Sequence, residues 1–257
     1  MNDSTDAHVV LEVTPQVATI TINSPSTRNA LSAEFLKDLL LALANASKSS
    51  SRVIVLTHTP PVFCSGLDLK QIAKEPIDLS DLARVFLALG QVRQPTIAVL
   101  SGVARAGGLG IMAACDLVVV APTINFAFTE VKLGAVPAII SVPILARVGW
   151  SKVAAAFITG EEFDAVTAKS IGLVTHVSPD PLATAQELVD SICQAGPEAV
   201  ATTIRILRRA ANEAYEINLD EMRQLSEETF ASPEAKEGIA AFRSKRSPSW
   251  RVQARKR

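Results

Sequence analysis

Three short, almost wholly apolar runs constrain this chain more than any other feature: Val53-Ile54-Val55-Leu56, Thr96-Ile97-Ala98-Val99-Leu100 and Leu117-Val118-Val119-Val120-Ala121. Each is bounded by polar or turn-forming residues and is far too short to cross a membrane, so each reads as a strand buried on both faces. Around them the apolar period changes to that of a helix, over 80–92 and 107–115. Strands alternating with helices imply an α/β fold whose central strands are covered on both sides.

The flanks of this pattern are equally legible. Residues 9–13 and 17–22 form an edge hairpin, the second strand alternating before a turn at Asn23-Ser24-Pro25. From Ser32, which is placed to cap, the residues Phe35, Leu36, Leu39, Leu40 and Leu43 fall on one face of a helix. Beyond residue 141 the chain reads almost wholly as helix, with Asp164 capping 165–171 and Ser232-Pro233-Glu234 opening 233–243.

With 257 residues, 48% of them hydrophobic, the chain can bury one large core. Its charges nearly cancel, to a net charge of -1, which argues against nucleic acid as a partner. The polar, acidic start and the lack of a long apolar stretch argue against a signal peptide and a membrane span, so a soluble, cytoplasmic protein is expected. Cys64, Cys115 and Cys193 are odd in number and lack CxxC or metal-ligand spacing, which favours buried thiols over a disulfide framework or a zinc site. A basic run near the end, Lys245, Arg246, Arg251, Arg255, Lys256 and Arg257 around Trp250, reads as a solvated tail, with phosphate contact as the alternative.

Two glycine turns hold the candidate chemistry. The first, Phe63-Cys64-Ser65-Gly66-Leu67-Asp68-Leu69, follows a strand, and its Gly66 admits a backbone conformation closed to larger residues. The second, Ala106-Gly107-Gly108-Leu109-Gly110, runs from a strand into a helix start, where unpaired N–H groups favour negative charge. Gly108-Leu109-Gly110-Ile111-Met112-Ala113 also fits the dinucleotide fingerprint, with Glu130 as the following acid. Against that reading, several residues separate the strand from the first glycine, and Glu130 lies well past the next strand's tip. His8, His58 and His176 are scattered and there is no G-x-S-x-G elbow, so a hydrolytic triad has no support. His58 reads as a loop histidine without a role, and Arg105 is left unassigned.

Taken together, the two turns resemble those of the enoyl-CoA hydratase/isomerase, or crotonase, family. The likeness extends through Arg28-Asn29-Ala30-Leu31, Cys115-Asp116, Ser170-Ile171-Gly172-Leu173-Val174 and Phe242-Arg243-Ser244-Lys245-Arg246. It implies a spiral of repeated ββα units over 1–195 holding an acyl-CoA site, and a helical trimerisation region over 196–257, as a homotrimer or dimer of trimers. The substrate would be an acyl-CoA thioester. No metal or redox cofactor is needed, since coenzyme A enters as part of that substrate.

Carried over motif by motif, the resemblance makes the N–H groups of Leu67 and Gly107 an oxyanion hole and Glu130 an acid/base. Each such donor is worth on the order of 3 kcal/mol against developing oxyanion charge. The acyl-CoA would lie along Arg28, Ala30, Ser65, Gly66, Asp68, Leu69, Gly110, Leu133 and Pro137, with Lys245 toward the phosphates. Hydratases of the family carry two glutamates; here the first falls at Gly110, leaving Glu130 alone. Three expectations follow: a hydratase-like enzyme with one carboxylate, an isomerase of 3-enoyl thioesters, or a catalytically silent acyl-CoA-binding or assembly partner. Val136-Pro137-Ala138-Ile139-Ile140-Ser141 replaces a glycine-rich stretch and gives a bulkier, apolar wall. Ala138, where dehalogenases of the family carry an aspartate, disfavours dehalogenation.

Overall fold

Alternation in Val17–Ile22 becomes a strand with one buried face: Ala18, Ile20 and Ile22 point inward while Val17, Thr19 and Thr21 are half-buried. The computed structural model describes residues 7–68, 78–211 and 215–250 of the chain. That strand, β2, pairs antiparallel with β1 (Val9–Val13) and parallel with β3 (Val53–His58). Then β5 (Thr96–Leu100), β7 (Leu117–Val120) and β10 (His176–Val177) complete a six-stranded sheet in the order β1-β2-β3-β5-β7-β10.

The continuous apolar runs are explained by their two faces. Ile54, Leu56, Ala98, Leu100, Val118 and Val120 enter the main core, which also takes Phe35, Leu39 and Leu43 from α1 (Ala33–Lys48). Their neighbours Val53, Val55, Ile97, Val99 and Val119 pack instead against Ala185 and Val189 of α7 (Pro181–Gln194). Each buried Val, Leu or Ile side chain contributes roughly 1.5–3 kcal/mol relative to exposure, so neither face tolerates a slip in register.

Short strands absent from the sequence reading build a second sheet. These are β4 (Val62–Cys64), β6 (Val103–Arg105), β8 (Asn125–Ala127) and the antiparallel β9 (Phe163–Asp164), in that spatial order. The pairs β3-β4, β5-β6 and β7-β8 each send one strand to either sheet. With the helices α2 (Ser80–Gln91), α3 (Gly107–Ala114) and α4 (Ala138–Val148), they form the repeated ββα units that the resemblance implies.

The remaining helices are α5 (Trp150–Thr159), α6 (Ala165–Ser170), α8 (Pro197–Ala211), α9 (Tyr215–Ala231) and α10 (Pro233–Arg243). Caps read from the sequence are formed: Ser32, Asp164 and Ser232 accept from the amides of Phe35, Thr167 and Ala235. Asp116 accepts from the Thr96 amide and hydroxyl and pairs with Arg208, tying α8 to the sheet. Helices α9 and α10 fold back on the core of their own chain, α9 against α2 and α4. Among the described residues no helix is long and apolar enough to cross a membrane.

Candidate active site

β4, β6 and β8 are parallel neighbours, so their C-terminal ends emerge on one edge of the second sheet. From β4 comes the turn 65–68, from β6 the turn that starts α3, and from β8 a 3-10 helix, Thr129–Leu133, carrying Glu130. Three segments far apart in sequence thus meet because short strands deliver them together. Ligands of open α/β sheets bind at such carboxyl edges.

The two glycine turns interlock through their missing side chains. Gly66 has a φ of +92°, and a Cβ there would stand 3.1 Å from the Ala106 Cβ. A Cβ on Gly108 would lie 2.5 Å from that of Cys64, so the start of α3 seats directly on the end of β4. Ala106 holds φ 47° and ψ −120°, a conformation costly for a residue with a side chain. Burial pushes the Cys64 thiol up to about 12, which leaves it a packing group and not a nucleophile.

Backbone pairing sets the direction of two amides. Leu31 donates to the Gly66 carbonyl at 2.8 Å and accepts from the Asp68 amide at 3.4 Å, so the intervening Leu67 turns its own N–H the other way. Gly107 is the first residue of α3 and has no intrahelical acceptor. Neither amide is paired within the described residues.

Asn29 fastens this arrangement from outside. It is fully buried at a φ of 53°, accepts from the Ser24 amide at 2.7 Å and donates to the Val62 carbonyl at 2.6 Å. Asn tolerates the left-handed conformation better than Ala and offers both partners at once. Asn29→Ala is expected to lower stability by about 2–4 kcal/mol, since it strands a buried donor and a buried acceptor; urea unfolding checks this.

Glu130 is 5% exposed and its Oε2 has no hydrogen-bond partner among the described residues. Burial pushes its carboxyl up to about 7, opposed only by a backbone hydrogen bond. It lines a small cavity with Leu67, Gly107, Pro137, Leu79, Leu82, Val136, Ile139, Ile140, Ser226 and Phe230. The cavity has a volume of about 10 Å³, room for about one water. Glu130 is the only ionisable side chain around it among the described residues.

Of the residues singled out in the sequence, Leu67, Gly107, Glu130 and Pro137 meet at this cavity. Gly66, Ser65 and Asp68 belong to the turn behind it, and the Ser65 amide donates to the carbonyl of Arg28, whose side chain is exposed. Ala30 is half-buried in the adjoining segment. Gly110 lies one turn into α3, where a Cβ would meet the Phe86 ring at 2.4 Å and Ile140 at 3.1 Å. Leu133 ends the 3-10 helix with its backbone against Gly238 of α10, and Lys245 is an exposed residue just after α10. Leu69 and the basic residues from 251 onward lie outside the described residues.

Other candidates resolve into structural roles. His58 accepts from the Ser101 amide at Nε2 and donates from Nδ1 to the Thr59 carbonyl, and burial lowers its pKa. It joins the ends of β3 and β5. Arg105 pairs with Glu162 at 2.6 Å and with the Asn125 carbonyl, clamping β6 to the neighbouring loop. Glu130 faces the cavity and is not at the tip of β7, so the dinucleotide fingerprint lacks its ribose acid.

Cavity residues that sequence reasoning missed are Leu79 and Leu82 near the start of α2, and Ser226 and Phe230 on α9. Nothing in their spacing marks them. They arrive by packing, fixed by contacts such as Ser226 Oγ accepting from the Ile139 amide at 2.9 Å and Glu227 accepting from the Leu79 amide at 2.8 Å.

Leu67 and Gly107, each with an unpaired amide, and the buried Glu130 carboxyl line one apolar cavity, a combination able to serve an anionic oxygen beside a proton in transfer. The chain belongs to the enoyl-CoA hydratase/isomerase family, whose model matches residues 12–253. It is 31% identical over 253 residues to a probable enoyl-CoA hydratase of Mycobacterium bovis, covering 94% of this chain and 97% of the relative. An enoyl-CoA isomerase/hydratase of Mycosarcoma maydis is 30% identical over 247 residues, 89% of this chain and 90% of its own length. A solved enoyl-CoA hydratase from Mycobacterium avium superposes with a TM-score of 0.88 at 36% identity, covering 96% of this chain and 100% of that one.

Proposed function

We propose that this chain is an enoyl-CoA hydratase-like enzyme in which the Leu67 and Gly107 amides hold the thioester oxygen and Glu130 alone moves the proton. The observation that carries this is Glu130 itself, buried, lacking a partner at Oε2, and lining the same small cavity as Leu67 and Gly107. In hydration, water gives a proton to the Glu130 carboxylate as its oxygen bonds to C3. The C2–C3 π pair moves into the thioester as an enolate held by the two amides, and collapse of that enolate takes the proton from Glu130 onto C2. One carboxylate is thereby restored at the end of each turnover.

A second reading, isomerisation of a 3-enoyl thioester, is favoured by one observation. The space a carboxylate at Gly110 would need is filled by Phe86, which is fully buried. Glu130 would then take a proton from C2 and return it at C4. Offering the protein a 2-enoyl-CoA and a 3-enoyl-CoA and identifying the products decides between the two, and failure to turn over either supports the silent acyl-CoA-binding alternative.

The same packing gives a further expectation. Gly110→Glu forces side-chain atoms onto the Phe86 ring and is expected to cost about 1–3 kcal/mol without raising hydration. A thermal melt and a hydration assay on that variant check both.

A homotrimer, alone or paired, is supported by the exposed apolar residues Trp150 and Ile158 on α5, Val166 on α6 and Ile206 on α8. Light scattering of the purified chain tests it. A cytoplasmic location is the corresponding proposal for its place in the cell.

A further inference from the structure

Ser226 is a second polar side chain at the cavity, and it comes from α9, outside every motif that defines the two turns. The residue is 1% exposed. Its Oγ accepts from the Ile139 amide, which fixes the hydroxyl against the start of α4. The Ser226 hydroxyl proton finds no acceptor among the described residues, although a buried hydroxyl ordinarily donates as well as accepts. Glu130, which lines the same cavity, has an unpartnered Oε2. Elsewhere the wall is apolar: Leu79, Leu82, Ile139, Ile140 and Phe230.

We propose that Ser226 is a positioning residue for hydration: its hydroxyl donates a hydrogen bond to the oxygen that adds at C3, which is water in one direction and the 3-hydroxyl in the other. The proposal rests on the hydration reading of the Glu130 site. Gly110 carries no side chain to orient that oxygen, and Phe86 closes the space from which one would reach. An oxygen held between Ser226 and Glu130 donates its proton to the carboxylate while accepting from the serine. The serine neither gains nor loses a proton over the cycle, so the atom balance of the addition is unchanged.

The test uses the full-length protein with two probes. Hydration of crotonyl-CoA needs the added oxygen, whereas exchange of the α-protons of butyryl-CoA in deuterated water needs only Glu130 and the two amides. Ser226→Ala is expected to lower hydration about tenfold or more, the scale of one lost hydrogen bond to a reacting group, while exchange changes much less. Ser226→Thr, which keeps the hydroxyl, is expected to recover most of the lost hydration. Equal losses of hydration and exchange in Ser226→Ala would show a packing role only and overturn the proposal, as would undiminished hydration. Exchange without hydration in the unaltered protein would remove the hydration reading and this proposal with it. Absence of both would remove the role of Glu130, and this proposal with it.

Discussion

Replacing Glu130 by Gln is expected to lower turnover of acyl-CoA substrates roughly 10²- to 10⁴-fold, the range for loss of a positioned acid/base group. Gln keeps the shape of the side chain and removes only the ability to ionise. In the unaltered protein the rate should rise with pH through about 7, because burial raises the Glu130 carboxyl to that value and the ionised form is the base. Steady-state rates from pH 5 to 9, measured on both proteins, check the pair of statements.

The raised pKa also makes a stability statement, with its own sign. Between the ordinary carboxyl value of 4.5 and about 7, the unfolded chain ionises at Glu130 while the folded one keeps its proton. The folded state therefore binds the extra proton there, and its advantage is full below 4.5 and lost as pH rises through about 7. The loss is on the order of 3 kcal/mol. Glu130→Gln removes this dependence, so the variant gains stability relative to the unaltered protein at pH 8, by denaturant unfolding at each pH. A residue whose replacement stabilises the fold while lowering turnover is placed there for chemistry.

Gly238→Ala is the second large effect. A Cβ at 238 would lie 2.2 Å from the Leu133 carbonyl oxygen, 2.5 Å from its carbon and 2.9 Å from its Cα, all backbone atoms with no rotamer to yield. Leu133 ends the 3-10 helix that carries Glu130, so either α10 lifts away or that helix shifts. The expected cost is about 3 kcal/mol, and a shift of about 1 Å in the carboxylate lowers turnover about 100-fold. Gly90→Ala is the control: near the end of α2, with nothing within 4 Å of the added carbon, it is expected to be neutral or slightly stabilising. Urea unfolding and turnover of both variants provide the comparison.

Those two substitutions also mark what was legible in the sequence. Strands β1, β2, β3, β5 and β7 and the principal helices follow from apolar period and caps, because each buries a face long enough to leave a pattern. β4, β6 and β8 do not, since three residues cannot show an alternation, yet they are the strands that bring the two turns and Glu130 to one edge. The resemblance supplied that arrangement where periodicity could not. Beyond 141 the helical reading holds apart from the two-residue strands β9 and β10, whose pairing partners lie far back in the chain.

At the site, Leu67, Gly107, Glu130 and Pro137, all singled out in the sequence, line one cavity. Phe86, Ser226 and Phe230 were invisible because their importance comes from what α2 and α9 pack against, not from neighbours in sequence. Phe86 changes the meaning of Gly110 most. Glycine there is not simply a lost carboxylate, because the adjoining space is occupied by an aromatic ring. Asn29, inside a recognised motif but not counted among the site residues, proves to hold the first turn in place through two buried hydrogen bonds.

Solvent-deuterium exchange into the α-carbon of butyryl-CoA tests the central claim most directly, since it needs enolate stabilisation and one base but neither hydration nor isomerisation. The account predicts exchange with the unaltered protein, inflecting near pH 7, and its loss in Glu130→Gln. Equal exchange by both proteins, or none by the unaltered protein while it binds the thioester, would contradict it.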